Sequence, residues 1–230
     1  MSESENDIGP VWVLADDRTG NVNQAVGVAE ALGVPFEIKH LAYDRFGAWP
    51  NLVRGASLLG VNADSRTALT APWPRVVIAA GRRTVPVARY IKKQSGGRTF
   101  IVQIMWPGPP VGDLDLVAVP EHDDVPARAN LMRTLGAPHR VTRARISEEG
   151  EKWQGYFADL PRPYIAMLVG GAAKDKGFDA SVAGKLGRQA SELARSAGGS
   201  LLLTTSRRTG VAARTALLPA IDAPASLHIW

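Results

Sequence analysis

Short apolar runs alternate with amphipathic stretches along the chain. Val11 to Ala15 (VWVLA) is an uninterrupted apolar run, the pattern of a strand buried on both faces. Val22, Ala25, Val26, Ala29 and Leu32 then recur at helical spacing, and Gly33 marks the stop. Phe36 to Leu41 reads as a second strand, so the chain opens strand–loop–helix–strand. Trp49 to Leu59 predicts a helix. Val76 to Ala80 predicts a strand and Val87 to Lys93 a helix. Thr99 to Met105 predicts a strand closed by the proline-rich Trp106–Pro110, and Leu116 to Val119 another. Strands alternating with helices over short loops imply a doubly wound parallel α/β sheet.

Thr142 to Asp159 is charged and amphipathic and predicts one helix. Leu160-Pro161-Arg162-Pro163 interrupts it, because consecutive proline restrictions stop a helix and stiffen the chain. The pattern then restarts. Tyr164 to Val169 and Leu201 to Thr205 predict strands, and Ser181 to Ala197 and Val211 to Leu218 predict helices. The expected division is an N-terminal Rossmann-like domain over residues 1–160 and the first part of a second over 161–230. Ser226 to Trp230 reads as an apolar strand at which the sequence stops, so the second domain is expected to be incomplete here.

An internal echo carries the first functional signal. VVIAAGRRTVPVAR (76–89) and LLLTTSRRTGVAAR (201–214) align without gaps at an offset of about 125 residues, with Arg-Arg-Thr shared at the turn. A strand-to-helix turn in a parallel sheet lies at the carboxyl edge, where ligands bind. Arginine offers a planar fork of donors suited to phosphate oxygens, and the helix start adds free N–H groups. Arg82, Arg83 and Thr84, with Ser206, Arg207, Arg208 and Thr209, are therefore candidate anion-binding residues. The plainer alternative for each copy is a solvated turn with a threonine helix cap.

Three other strand ends are rich in chemistry. Asp16-Asp17-Arg18-Thr19-Gly20-Asn21 is too polar for a tight turn, with Gly20 permitting a left-handed bend and Asn21 able to cap the helix. It reads as a substrate-binding loop or as a capped turn with an Asp–Arg pair. Gly170-Gly171, with Lys174 and Lys176 beyond, allows a ligand close to the backbone. Glu121-His122-Asp123-Asp124 places a histidine among carboxylates, which suits a general base or an exposed polar loop. Consecutive loop residues make a poor tetrahedral metal set, so no metal is expected. The sequence lacks GxGxxG, the Walker pattern, G-x-S-x-G and H-E-x-x-H.

Composition narrows the classes further. Hydrophobic residues make up 45% and charged residues 21%, as in ordinary globular chains. The formal net charge is +5, with no basic run of the length a nucleic-acid tail needs, so local anion sites fit better than a polyanion surface. No cysteine is present, which excludes disulfides and thiolate chemistry. MSESENDIGP has neither the basic start nor the apolar core of a secretion signal, and reads as a frayed tail. With no apolar stretch near 18 residues, a cytoplasmic location is expected.

The stretches VLADDRTGNVNQAVGVAEALG, VVIAAGRRTVPVAR, VAVPEHDD, LVGGAAKDKGF and LLLTTSRRTG resemble the mitochondrial-fission family named for the plant elongated-mitochondria protein, in a bacterial form. The resemblance covers essentially the whole chain. It implies a GT-B glycosyltransferase-like architecture, two Rossmann-like lobes facing a cleft. By that similarity Gly170, Gly171, Ser206, Arg207, Arg208 and Thr209 would meet the diphosphate of a nucleotide sugar. Asp17, Arg18, Asn21, Arg82 and His122 would face the acceptor or reacting sugar, with His122 or Asp17 as general base. The resemblance implies no metal and no cofactor, a nucleotide sugar or other phosphorylated small molecule as partner, and no nucleic acid. It leaves peripheral membrane contact and a protein partner open. The family also continues past Trp230 with a segment similar to the nucleotide-ribose site. The alternative is a non-catalytic interaction protein on the same fold, since the plant member is associated with recruiting a dynamin-like protein. Some members carry a nucleoside-diphosphate-sugar epimerase label, which the missing GxGxxG and Tyr-x-x-x-Lys patterns do not support.

Overall fold

Five-residue apolar runs become the central strands of a parallel sheet in the computed structural model, which describes residues 9–172 and 177–230. The chain divides into two compact units, one ending at Thr142 and one beginning at Arg143.

In the first unit, β1 (Val11–Ala15) leads into helix α1 (Thr19–Leu32) and β2 (Phe36–His40). Two short helices follow, α2 (Asn51–Arg54) and α3 (Ala63–Thr67), then β3 (Val76–Ala80) and α4 (Val85–Gln94). The strands β4 (Phe100–Ile104), β5 (Leu116–Pro120) and β6 (Leu131–Thr134) complete it. The sheet order is β2-β1-β3-β4-β5-β6, every pairing parallel. Strand alternation feeds two cores. Val11, Val13, Ile78, Ala80 and Ile104 pack with Ala25, Val26 and Ala29 of α1. Trp12, Leu14, Val77, Ala79 and Ile101 pack on the opposite face with Val85, Ala88 and Ile91 of α4. Burial on both faces is why these strands carry no polar alternation.

Some boundaries differ from the sequence pattern. Helix α1 starts at Thr19, three residues before its apolar stripe, so Gly20 and Asn21 are helical rather than a left-handed bend and a cap. The expected helix at 49–59 is one turn, Asn51–Arg54, halted at Gly55 with φ +54°. The Arg54 side chain turns inward there to bond main-chain carbonyls. Strand β6 was not legible, because Met132 and Arg133 are exposed at an edge. Asn130 fixes the entry to it by donating to the carbonyls of Val111 and Leu114.

The second unit begins with helix α5 (Arg143–Gln154) and contains β7 (Tyr164–Leu168), α6 (Ala180–Ser196), β8 (Ser200–Thr204), α7 (Val211–Leu217) and β9 (Ala225–His228). The sheet order is β7-β8-β9, again parallel. Met167, Val169 and Leu203 pack on Ala183 of α6 and on Ala213 and Leu217 of α7. None of the residues of α5 is buried. Trp153 at its end meets His228 of β9 edge-on at 5.4 Å, and Phe157 meets Tyr164 of β7 at 6.0 Å. Those aromatic contacts put the unit boundary ahead of the Pro161–Pro163 break rather than at residue 160.

Candidate functional site

In the first sheet the strand order turns round between β1 and β3, and the crevice at their carboxyl ends is where such sheets bind ligands. The Asp16–Asn21 loop and the Gly81–Thr84 turn meet there. Asp16 is buried, its carboxylate accepting from the Asn21 side chain at 3.1 Å and from the Arg18 main chain at 3.0 Å. Gly81 has φ +78°, and a β-carbon on it would lie 2.5 Å from Asn21 Nδ2. Glycine at this turn is thus required both by backbone conformation and by the close approach of Asn21.

The two arginines of this turn are engaged internally. Arg82 donates to the carbonyls of Trp49 and Ala48, both at 3.1 Å, and its own carbonyl accepts from Asn51. Arg83 donates to Asp17, lies 3.9 Å from Asp16, and covers the Tyr43 ring at 4.7 Å. Thr84 neither caps α4 nor offers a free hydroxyl. It is wholly buried and donates to the carbonyls of Ala80 and Gly81. Arg18 stands exposed at the start of α1.

Sequence reading missed the groups beneath the turn. Tyr43 donates to the Arg83 carbonyl at 3.0 Å, and Arg54 donates to the same oxygen at 3.2 Å. Arg54 is 1% exposed and also bonds the carbonyls of Leu59 and Gly47. Burial pushes the Tyr43 phenol well above its ordinary range, with Asp16 adding to the rise and Arg54 opposing it. Burial likewise lowers the Arg54 guanidinium. Gln103, fully buried in β4, donates to the Gly81 carbonyl at 3.1 Å, and Met105 follows with φ +68°. No local pattern announces Tyr43 or Arg54, because their partner lies 40 and 29 residues away.

His122 lies apart from this network on the carboxyl end of β5. Its side chain is 74% exposed and 3.9 Å from Asp123, and no hydrogen bond orients the ring among the described residues. Arg133 pins the loop through the carbonyls of Asp123 and Val125. Among the described residues no group of three or more histidine and carboxylate side chains is arranged for a metal ion.

In the second unit, the loops after β7 and β8 meet. Thr209 is buried and donates to the carbonyls of Gly170 at 2.7 Å and Val169 at 3.1 Å, while accepting from the Ser206 main chain at 2.9 Å. Its hydroxyl locks the ends of β7 and β8 together, whereas that of Thr84 bonds only within the end of its own strand, and like Thr84 it does not cap the following helix, here α7. A β-carbon on Gly171 would lie 1.8 Å from the Arg208 carbonyl oxygen. Arg207 and Arg208 are exposed and form no ion pair with any described carboxylate. Beside them a cavity of about 100 Å³ is lined by Ser206, Arg207, Arg214 and Trp230. Lys174 and Lys176 lie outside the described residues.

Parallel α/β units with chemistry gathered at the carboxyl ends of adjacent strands define the class. The chain belongs to the family described as Mitochondrial fission ELM1, which matches residues 19–230. An uncharacterized protein of Rickettsia prowazekii is 25% identical over 205 residues, 75% of this chain and 57% of the relative. The mitochondrial fission protein ELM1 of Arabidopsis thaliana is 23% identical over 197 residues, 76% of this chain and 46% of the relative. The chain thus spans about half the length of the curated relatives it matches. A C2-type ketoreductase from a modular polyketide synthase covers 96% of this chain and 55% of its own at 14% identity, with a TM-score of 0.28, too low to bear on the fold. Among the described residues no helix is long and apolar enough to cross a membrane.

Proposed function

We propose that this chain is the nucleotide-sugar-binding part of a GT-B-like, glycosyltransferase-type protein, and that the loops after β7 and β8 hold the ligand's diphosphate. One observation carries this reading. Thr209 and Gly171 clamp the two loops against each other, yet Arg207 and Arg208 stay exposed without a described carboxylate. A guanidinium pair on a fixed turn suits phosphate oxygens.

Gly170 and Gly171 keep side chains away from the approach, and Ser206 adds a hydroxyl beside the arginines. In this reading Arg18, Arg82 and Arg83 frame the acceptor side, on loops that the buried Asn21 and Thr84 support from within, with Asp17 or His122 taking the proton. Transfer needs a base in contact with the acceptor hydroxyl. His122, exposed and unoriented, would be ordered by that substrate.

A thermal-shift series with UDP, GDP and ADP, and with UDP-, GDP-, ADP- and CMP-sugars, on the intact protein tests the reading. At least one nucleotide should raise the melting temperature, and Arg207→Ala should abolish the rise. No shift with any of them, together with retained partner capture in a pull-down of the His122→Ala protein, would replace this reading with a non-catalytic one.

A further inference from the structure

We propose that the Arg83 guanidinium is a receptor for a phosphate group, and that the Asp17 carboxylate fills it as a displaceable stand-in. The two groups are held very differently. The Arg83 side chain is 18% exposed and lies over the Tyr43 ring, with its carbonyl fixed by Tyr43 and Arg54. Its Nε is buried without an acceptor. The Asp17 side chain is 67% exposed and touches Arg83 from the bend after β1. A fixed cation faced by a loose anion is a preorganised site in which the loose partner exchanges.

Charge favours phosphate over a second carboxylate. Arg54, Arg82 and Arg83 gather at the turn, and Arg54 and Arg82 bond carbonyls and have no carboxylate within 4.0 Å among the described residues. Asp16 stays 3.9 Å from Arg83 as a second, buried carboxylate, but its oxygens also accept from Asn21 and the Arg18 main chain, so it is the weaker partner of the guanidinium. Asp17 supplies one negative charge where a phosphate supplies about −1.5 to −2. Swinging Asp17 outward leaves Asp16 undisturbed and opens Arg83 towards the crevice between β1 and β3. Every residue named for this site belongs to the first unit, so its test and that of the Ser206–Thr209 reading fail separately.

The test is a titration of the ¹⁵N-labelled chain with inorganic phosphate at constant ionic strength. It is read on the Arg83 Nε–Hε signal, assigned by its loss in Arg83→Lys. The signal should move saturably, and Asp17→Asn should lower the phosphate Kd about tenfold by removing the internal competitor. The same shift should persist in Arg207→Ala. An unchanged or weaker Kd in Asp17→Asn, a signal that does not move, or a shift lost in Arg207→Ala overturns the proposal. Should Arg83→Lys fail to fold, calorimetric phosphate affinities of the wild-type and Asp17→Asn chains decide it alone.

Discussion

The carbonyl oxygen of Arg208 occupies the space a side chain on Gly171 would need, 1.8 Å from the position of a β-carbon. The loops after β7 and β8 are therefore in backbone contact. Gly171→Ala has to push them apart, and the obstacle is main chain, which cannot rotate away. The expected cost is about 2–3 kcal/mol, read as a lower urea midpoint. Gly170 has nothing within 4 Å of its β-position, so Gly170→Ala should stay within about 0.5 kcal/mol.

Gly81 makes the matching demand in the first unit, with φ added to proximity. Gly81→Ala combines a left-handed backbone costing about 1–2 kcal/mol with the contact to Asn21 Nδ2. Asn21→Ala removes that contact while taking a donor from Asp16. A double-mutant cycle should show a coupling of about 0.5 kcal/mol or more, in the sense that the second change relieves the first.

Tyr43 gives stability a defined alkaline limit. Its folded-state pKa is raised above the unfolded value of about 10, so the folded chain holds a proton that the unfolded chain releases. The contribution is complete below about pH 10 and is lost as pH rises beyond it. Tyr43→Phe should flatten denaturation midpoints measured from pH 8 to 11. At neutral pH it should cost about 1 kcal/mol for the bond to Arg83.

Arg54 bonds three carbonyls from a fully buried position. Arg54→Met fills similar volume but strands those oxygens, at an expected cost of about 3 kcal/mol in chemical denaturation. Arg54→Lys should recover little, because one ammonium cannot reproduce the fork that spans Leu59, Gly47 and Arg83. Arg207→Ala, on the exposed turn, should leave the midpoint within about 0.5 kcal/mol.

The strands around the crevice were legible because both their faces are buried. Val11–Ala15 and Val76–Ala80 are apolar at every position, and nothing competes with that signal. Strand β6 has half-exposed residues and depends on the Asn130 side chain, which no periodicity records. The Arg-Arg-Thr echo was equally legible, but its two copies have different surroundings. The strand beside β3 is β1, whose loop brings Asp16 and Asp17. The strand beside β8 is β7, whose loop brings two glycines. Sheet order thus decides which described carboxylates stand beside each pair of arginines, and sheet order is not written in the turn. Tyr43 and Arg54 were invisible for the same reason: their meaning lies in a carbonyl brought from β3's far end.

The threonine locks carry a consequence for how these turns change over generations. Thr84 and Thr209 hold their loops through hydroxyl-to-carbonyl bonds that involve no arginine side chain. At the second turn, Arg207 and Arg208 therefore vary at little cost to folding, and replacements there are filtered by what the protein binds. At the first turn, Arg82 also holds the main-chain carbonyls of Ala48 and Trp49, which any residue there supplies, whereas Arg83 holds the Asp17 side chain, so a substitution at 83 must arrive in step with one at 17. Relatives compared column by column should show independent drift at 207 and 208, and linked change between 83 and 17.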